Sequence, residues 1–173
     1  MEVQEMATSY GSITPEQATL IREAKLFFVA SADPALSAGP KGQGPVNLSP
    51  KGGTPLHIID ENRVAYLDYT GSGNETGRHA AADGPITIMV MSLDCEDAAV
   101  VRLYGKARVL PIDESELKER LLASPAADIE LPMRQVIDVT IEGTQTSCGY
   151  GVPVYEYVAQ RVRGQRGRRF KTS

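Results

Sequence analysis

Between positions 27 and 141 the chain passes through six or seven short β-type runs, with no long helix set regularly between them. The runs are residues 27–30 (FFVA), 46–49 (VNLS), 56–59 (LHII), 64–69 (VAYLDY), 86–91 (ITIMVM), 100–110 (VVRLYGKARVL) and 136–141 (VIDVTI). They are apolar, β-branched and aromatic, several alternate with period two, and turn residues bound them. A doubly wound parallel sheet needs a helix between successive strands, so it is disfavoured. Short connections with Gly at the corners point instead to a mainly β chain built as a small antiparallel barrel. Gly105, in the middle of the longest run, marks a bulge or barrel corner. Residues 60–63 (DENR) form a tight hairpin connection, and Pro50 ends the second run before a Lys51-Gly52-Gly53 turn.

Three helices are scattered among the strands. Thr14-Pro15-Glu16-Gln17 reads as an N-cap, a first-turn Pro and a capping-box Gln, with Ile21 and Ala24 on the inner face. A short helix spans 78–82, closed by Asp83-Gly84. Residues 114–123 form an amphipathic helix with Leu117, Leu121 and Leu122 on one face. Residues 33–45, rich in Pro, Gly, Ala and Ser, are a flexible loop.

Charge limits the partners. The 173 residues carry 18 basic and 22 acidic side chains, but residues 161–173 (RVRGQRGRRFKTS) hold six of the cations and no acid. Without them 12 basic residues face 22 acidic ones, so the body, residues 1–160 as a single domain, sits near −10. Such a body repels nucleic acid and anionic membranes, leaving weak polyanion binding to the basic, flexible tail. No apolar run approaches the ~18 residues of a membrane helix, and residues 1–12 lack the apolar stretch of a signal peptide. Two cysteines, Cys95 and Cys148, suit a reducing cytoplasm and show no metal-ligand spacing.

The strongest local signal is residues 69–76, YTGSGNET, where a strand ends, a Gly-rich loop follows and a helix begins. Such loops suit a phosphate, and Thr70, Ser72, Asn74 and Thr76 add neutral donors. The competing reading is a plain strand-to-helix turn in which Asn or Thr caps the helix. The segment lacks the Gly-Lys-Ser/Thr of a nucleotide-triphosphate loop. Lys51 lies beside this loop if the strands pair in sequence, where it would meet a phosphate; otherwise it is a solvated turn lysine. Residues 144–151 (TQTSCGYG) form a polar, Gly-rich stretch after the last long strand. Cys148 as a nucleophile would need a base, yet the only histidines are His57, in an apolar strand, and His79, a surface or packing residue. No hydrolase triad and no zinc set emerges.

Taken in order, VNLSPKG, AYLDYTGSGNET, the His79 helix, PITIMVMS, RLYGKARVL and VIDVTIEGTQTSCGYGVP resemble the pyridoxamine 5′-phosphate oxidase-like flavin-binding family over roughly residues 14–157. The resemblance implies a Greek-key-like, six-stranded antiparallel split β-barrel that forms a homodimer, with FMN in each of two clefts between subunits. It further implies a flavin-dependent oxidoreductase acting on a small molecule, the runner-up being a non-catalytic carrier of flavin, haem or a deazaflavin. By position, Asn47, Ser49 and Lys51 edge the flavin and its phosphate. Tyr69 and Thr70 end the next strand, and Asn74 and Thr76 stand where the oxidase proper holds the phosphate with a Ser and a Lys. Arg102, Gln145, Ser147 and Cys148 would come from the partner. The resemblance does not extend to the C-terminal Trp and Arg that recognise the pyridoxal group, since the chain has no Trp. The expected substrate is therefore not pyridoxamine phosphate, and Lys51 and Arg78 are left to supply charge at the phosphate.

Overall fold

Thr14 opens helix α1 (Pro15–Glu23) with a full capping box: the Gln17 N–H donates to Thr14 Oγ1 at 3.2 Å, and the Thr14 N–H donates to Gln17 Oε1 at 3.1 Å. The Gln17 amide also donates to Thr146 Oγ1, which ties the helix to the end of the barrel. The computed structural model of the chain describes residues 7–71, 73–94, 98–123 and 131–161. Ser72, Cys95 and the tail beyond Arg161 lie outside the described residues.

Eight strands are described: β1 (Ala7–Tyr10), β2 (Leu26–Ala32), β3 (Val46–Gly52), β4 (His57–Asp60), β5 (Arg63–Tyr69), β6 (Pro85–Met91), β7 (Ala99–Leu110) and β8 (Met133–Cys148). Helices α2 (Glu75–Ala81) and α3 (Lys118–Ala123) complete the elements used below. All strand pairs are antiparallel, in the order β3-β2-β6-β7-β8-β5-β4, with β1 added beside the far half of β8. The sheet curls until its two ends share one core. Phe27 of β2 packs edge-on against Tyr66 of β5, ring centroids 5.3 Å apart, although three strands separate them along the sheet. No backbone ladder joins β3 to β5 among the described residues, so the barrel stays split there.

Several expectations about local structure change. Pro50 does not end its strand: β3 runs on through Lys51 to Gly52 as an edge strand with β2 as its one ladder neighbour among the described residues, a position where Pro is tolerated. The last strand does not stop at Ile141. β8 continues to Cys148, held by β7 on one side and β1 on the other, and Thr144 and Thr146 bond inward to Ser12 O and Gln17. The predicted bulge at Gly105 is present, with the register shifting between Tyr104 and Gly105. A Cβ at Gly105 would run into the Thr140 carbonyl oxygen. The predicted helix over 114–123 breaks: a 3₁₀ turn (Ile112–Glu114) precedes Ser115, whose Oγ accepts the Leu117 N–H. Leu117 and Leu121 are buried against Ala65, Leu67 and Val136 outside the barrel, whereas Leu122 is exposed. Helix α2 starts three residues earlier than expected. No helix of the described residues is long and apolar enough to cross a membrane.

Candidate functional site

The alternation of β3 sorts its side chains. Asn47, Ser49 and Lys51 point to the inner side, opposite Ser31, Val29 and Phe27 of β2, while Val46, Leu48 and Pro50 face outward. At this edge the barrel is split, and side chains rather than backbone span the gap to β5. Lys51 Nζ lies 2.8 Å from Asp68 Oδ1 and covers the Tyr66 ring at 5.8 Å from its centroid. Asn47 Nδ2 donates to Ser49 Oγ at 3.0 Å and to Thr76 Oγ1 of α2 at 3.3 Å. Asn47, Ser49 and Thr76 thus form one polar cluster.

Asp68 is the hub beside it, and sequence reading passed it over. Buried to 4% exposure, its carboxylate accepts from Lys51, from Arg134 Nη2 at 2.7 Å and Nε at 3.1 Å, and from Gln135 Nε2 at 2.9 Å. Burial alone would push its carboxyl up, but the hydrogen bonds and charges of Lys51 and Arg134 outweigh that and hold it below the ordinary carboxylate value. Two cations share one carboxylate, so the hub carries one surplus positive charge. The Tyr66 hydroxyl, on the same face of β5 as Asp68, is buried without a hydrogen-bond partner among the described residues, and burial pushes its ionisation far up.

The 69–76 segment is pinned by the same hub. Arg134 Nη1 donates to Gly73 O at 3.0 Å, and Gln135 Nε2 donates to Asn74 Oδ1 at 2.8 Å. Asn74 occupies the N-cap position of α2, yet its side chain makes no cap bond, so the helix-cap reading of this loop does not describe what Asn74 does. Tyr69 is half-buried against the outer cluster, and burial raises its phenol. Thr70 is exposed, its N–H donating to Pro132 O. Arg78 is engaged elsewhere: it pairs with Asp33 at 3.0 Å and meets His79 Nε2 at 2.9 Å.

The residues that the resemblance expects from a partner form a second group. Arg102 Nη1 donates to Ser147 Oγ at 2.9 Å, and the Tyr104 hydroxyl donates to Gln145 Oε1 at 3.3 Å. Cys148 is an exposed free thiol at the end of β8. The register lines up Pro50, Phe28, Met89, Arg102 and Gln145 across five strands, all on the outer face. Arg102, Gln145 and Ser147 are therefore on the opposite face of the sheet from Asn47, Ser49 and Lys51, whereas Cys148 falls in phase with the inward Thr144 and Thr146, and β7 stands three strand spacings, about 14 Å, from β3. The cavity at the split, lined by Pro50, Lys51, Thr54, Asp68, Tyr69 and Leu131 among others, holds about 130 Å³, below the roughly 300 Å³ where cofactor sites begin. That cavity alone does not enclose a flavin; a separate cavity of about 430 Å³ opens beside Gly73, Asn74, Gly77 and Arg78.

Neither histidine is placed to ligate haem at this split. His79 is fully buried with Nδ1 on Ser31 Oγ at 2.9 Å and Nε2 on Arg78, and burial with the Arg78 charge lowers its pKa. His57 sits on edge strand β4 opposite Ala65, on the side of α3, where burial and Arg120 lower its pKa. The described residues hold no group of three His, Cys, Asp or Glu that could bind a metal.

Comparison with known proteins gives three findings. Residues 13–148 match the family model of pyridoxamine 5′-phosphate oxidase. A pyridoxamine 5′-phosphate oxidase family protein of Aspergillus flavus, UstO, is 32% identical over 133 residues, 76% of this chain and 50% of its own length. The chain thus spans about half the length of that curated relative. Among solved structures, a candidate pyridoxamine 5′-phosphate oxidase from Lactobacillus delbrueckii superposes with a TM-score of 0.56 at 21% identity, covering 78% of this chain and 94% of that one. An FMN-binding protein from Syntrophomonas wolfei superposes at 0.52 with 14% identity, over 73% of this chain and 85% of that one. At such identities these two likenesses speak for the split-barrel fold.

Proposed function

The chain belongs to the pyridoxamine 5′-phosphate oxidase family, and from that premise we propose that it binds FMN in a cleft shared by two copies and serves as a flavin-dependent oxidoreductase for a small molecule. The observation that carries this reading is the division of the site. Neutral donors and a hub of surplus positive charge lie at the inner edge of the split, while Arg102 of β7 and Gln145 and Ser147 of the far half of β8 lie on the outer face. The two groups meet around one ligand only when a second copy brings its outer face to the first copy's split edge. The outer face suits that contact, since Val46 and Leu48 are 64% and 66% exposed on an open edge strand, with Pro50 next in the same outward row.

The donor set fits a phosphate monoester. Asn47, Thr76 and Asn74 supply amide and hydroxyl groups, and the hub adds charge without a free, fully solvated cation. An FMN-binding protein of the same fold supports the choice of ligand. Bound flavin supplies the electron transfer; this chain's part is to hold the phosphate, orient the ring and limit water at the cleft. No side chain is assigned as a proton-transfer group. The free thiol of Cys148 suits the cytoplasmic setting that goes with this reading. Mass spectrometry of the small molecule released when the purified protein is denatured tests the ligand. FMN is expected, and haem, a deazaflavin or no ligand, together with failure to take up added FMN, would overturn the reading. Oxidation of reduced nicotinamide by the loaded protein then separates an enzyme from a carrier.

A further inference from the structure

The hydrogen bonds around Asp68 have a direction. An ionised carboxylate only accepts, so it takes the NH2 end of the Gln135 amide. The same nitrogen donates its second hydrogen to Asn74, which must answer with its oxygen. That leaves the Asn74 NH2 with no choice but to face away from Gln135, as a donor. The room for this amide comes from Gly77: a Cβ there would stand 2.5 Å from Asn74 Oδ1 and 3.0 Å from Nδ2. A parallel relay runs on β3, where Asn47 donates to Thr76 Oγ1 and frees the Thr76 hydroxyl hydrogen to point elsewhere. Arg134 braces the arrangement, its guanidinium holding Asp68 with one edge and Gly73 O with the other.

We propose that Asp68, acting through Gln135, is a positioning residue that makes Asn74 an obligate hydrogen-bond donor toward the anionic group of the ligand, with Arg134 fixing the loop that carries it. This deepens the FMN reading and rests on it, since the anionic group is the FMN phosphate. Gln135 and Arg134 touch no ligand in this account. They act on the phosphate increment of binding and leave the ring's share alone.

Riboflavin, which lacks the phosphate, separates the two. FMN and riboflavin affinities are measured by flavin fluorescence for the wild type, Gln135→Met, Arg134→Lys and Asn74→Asp, with thermal unfolding of each alongside. Gln135→Met is expected to weaken FMN about tenfold while riboflavin stays within about twofold. Arg134→Lys keeps a cation on Asp68 but cannot span to Gly73 O, so stability is largely retained while the FMN preference drops. Asn74→Asp, at an exposed position that tolerates it, keeps the Gln135 bond and puts an oxygen where the NH2 was, so the FMN preference is lost. Equal weakening of both flavins in Gln135→Met and Arg134→Lys, or an unchanged FMN preference in Asn74→Asp, would overturn the relay. A wild type that binds both flavins alike would overturn the relay alone, and one that binds neither would take the FMN reading down with it.

Discussion

Asp68→Asn tests the hub that closes the split. The carboxylate is 4% exposed and accepts four hydrogen bonds from Lys51, Arg134 and Gln135. Removing one partner of a fully desolvated ion pair costs about 3–5 kcal/mol. The Lys51 and Arg134 side chains keep 22% and 24% exposure, so water recovers part of their charge, and the expected loss falls to about 2–3 kcal/mol. For a domain of this size that lowers Tm by roughly 5–10 °C. The pH dependence follows from the direction of the shift. Lys51 and Arg134 depress the folded-state pKa of Asp68 against burial, so its stabilisation is fully present above the ordinary carboxylate pKa of about 4 and is lost as pH falls below it. Thermal unfolding followed by circular dichroism should show the full gap between wild type and variant at pH 7, shrinking on acidification past that value. No gap at pH 7, or a gap that persists unchanged into acid, would refute the reasoning.

Three further outcomes are expected. Gly105→Ala drives a Cβ into the Thr140 carbonyl oxygen at the bulge and should cost about 1–3 kcal/mol in chemical denaturation, whereas a neutral result would mean the bulge relaxes freely. Glu75 lays its carboxylate against Gly73 in the loop assigned to the phosphate; Glu75→Gln should tighten FMN roughly threefold or more by removing a repulsion, and weaker binding would place the phosphate elsewhere. Leu48→Asp adds a charge to the outward row of β3 in both copies and should weaken self-association about tenfold or more in sedimentation equilibrium, while an unchanged dimer would move the interface off this face.

The strands were legible because period-two alternation and turn residues report backbone geometry directly. Asn47 and Ser49 were named through the family resemblance and Thr76 through its Gly-rich loop as well, and the structure brings the three into one polar cluster. β1 was invisible, since Ala7–Tyr10 has no apolar alternation and is held by its ladder to β8. The extension of β8 to Cys148 was missed for the same reason, its polar inward residues being satisfied by partners more than a hundred positions away. Asp68 carried a readable sign. It falls on the inward side of VAYLDY, in phase with Tyr66, and a charge there demands a buried partner. Which partner was beyond the sequence, because Arg134 and Gln135 lie 66 and 67 residues on and meet Asp68 only through the β5–β8 register. Lys51 was expected beside the 69–76 loop at a phosphate, and its first neighbour is Asp68.

Sedimentation velocity of the full chain, recorded through both protein and flavin absorbance after loading with FMN, bears most directly on a cofactor site built by two copies. The flavin should move with a single dimeric boundary at one FMN per chain, and Leu48→Asp should release flavin as it releases the partner. A monomer that carries FMN at full occupancy would contradict the shared cleft, and so would a dimer that takes up none.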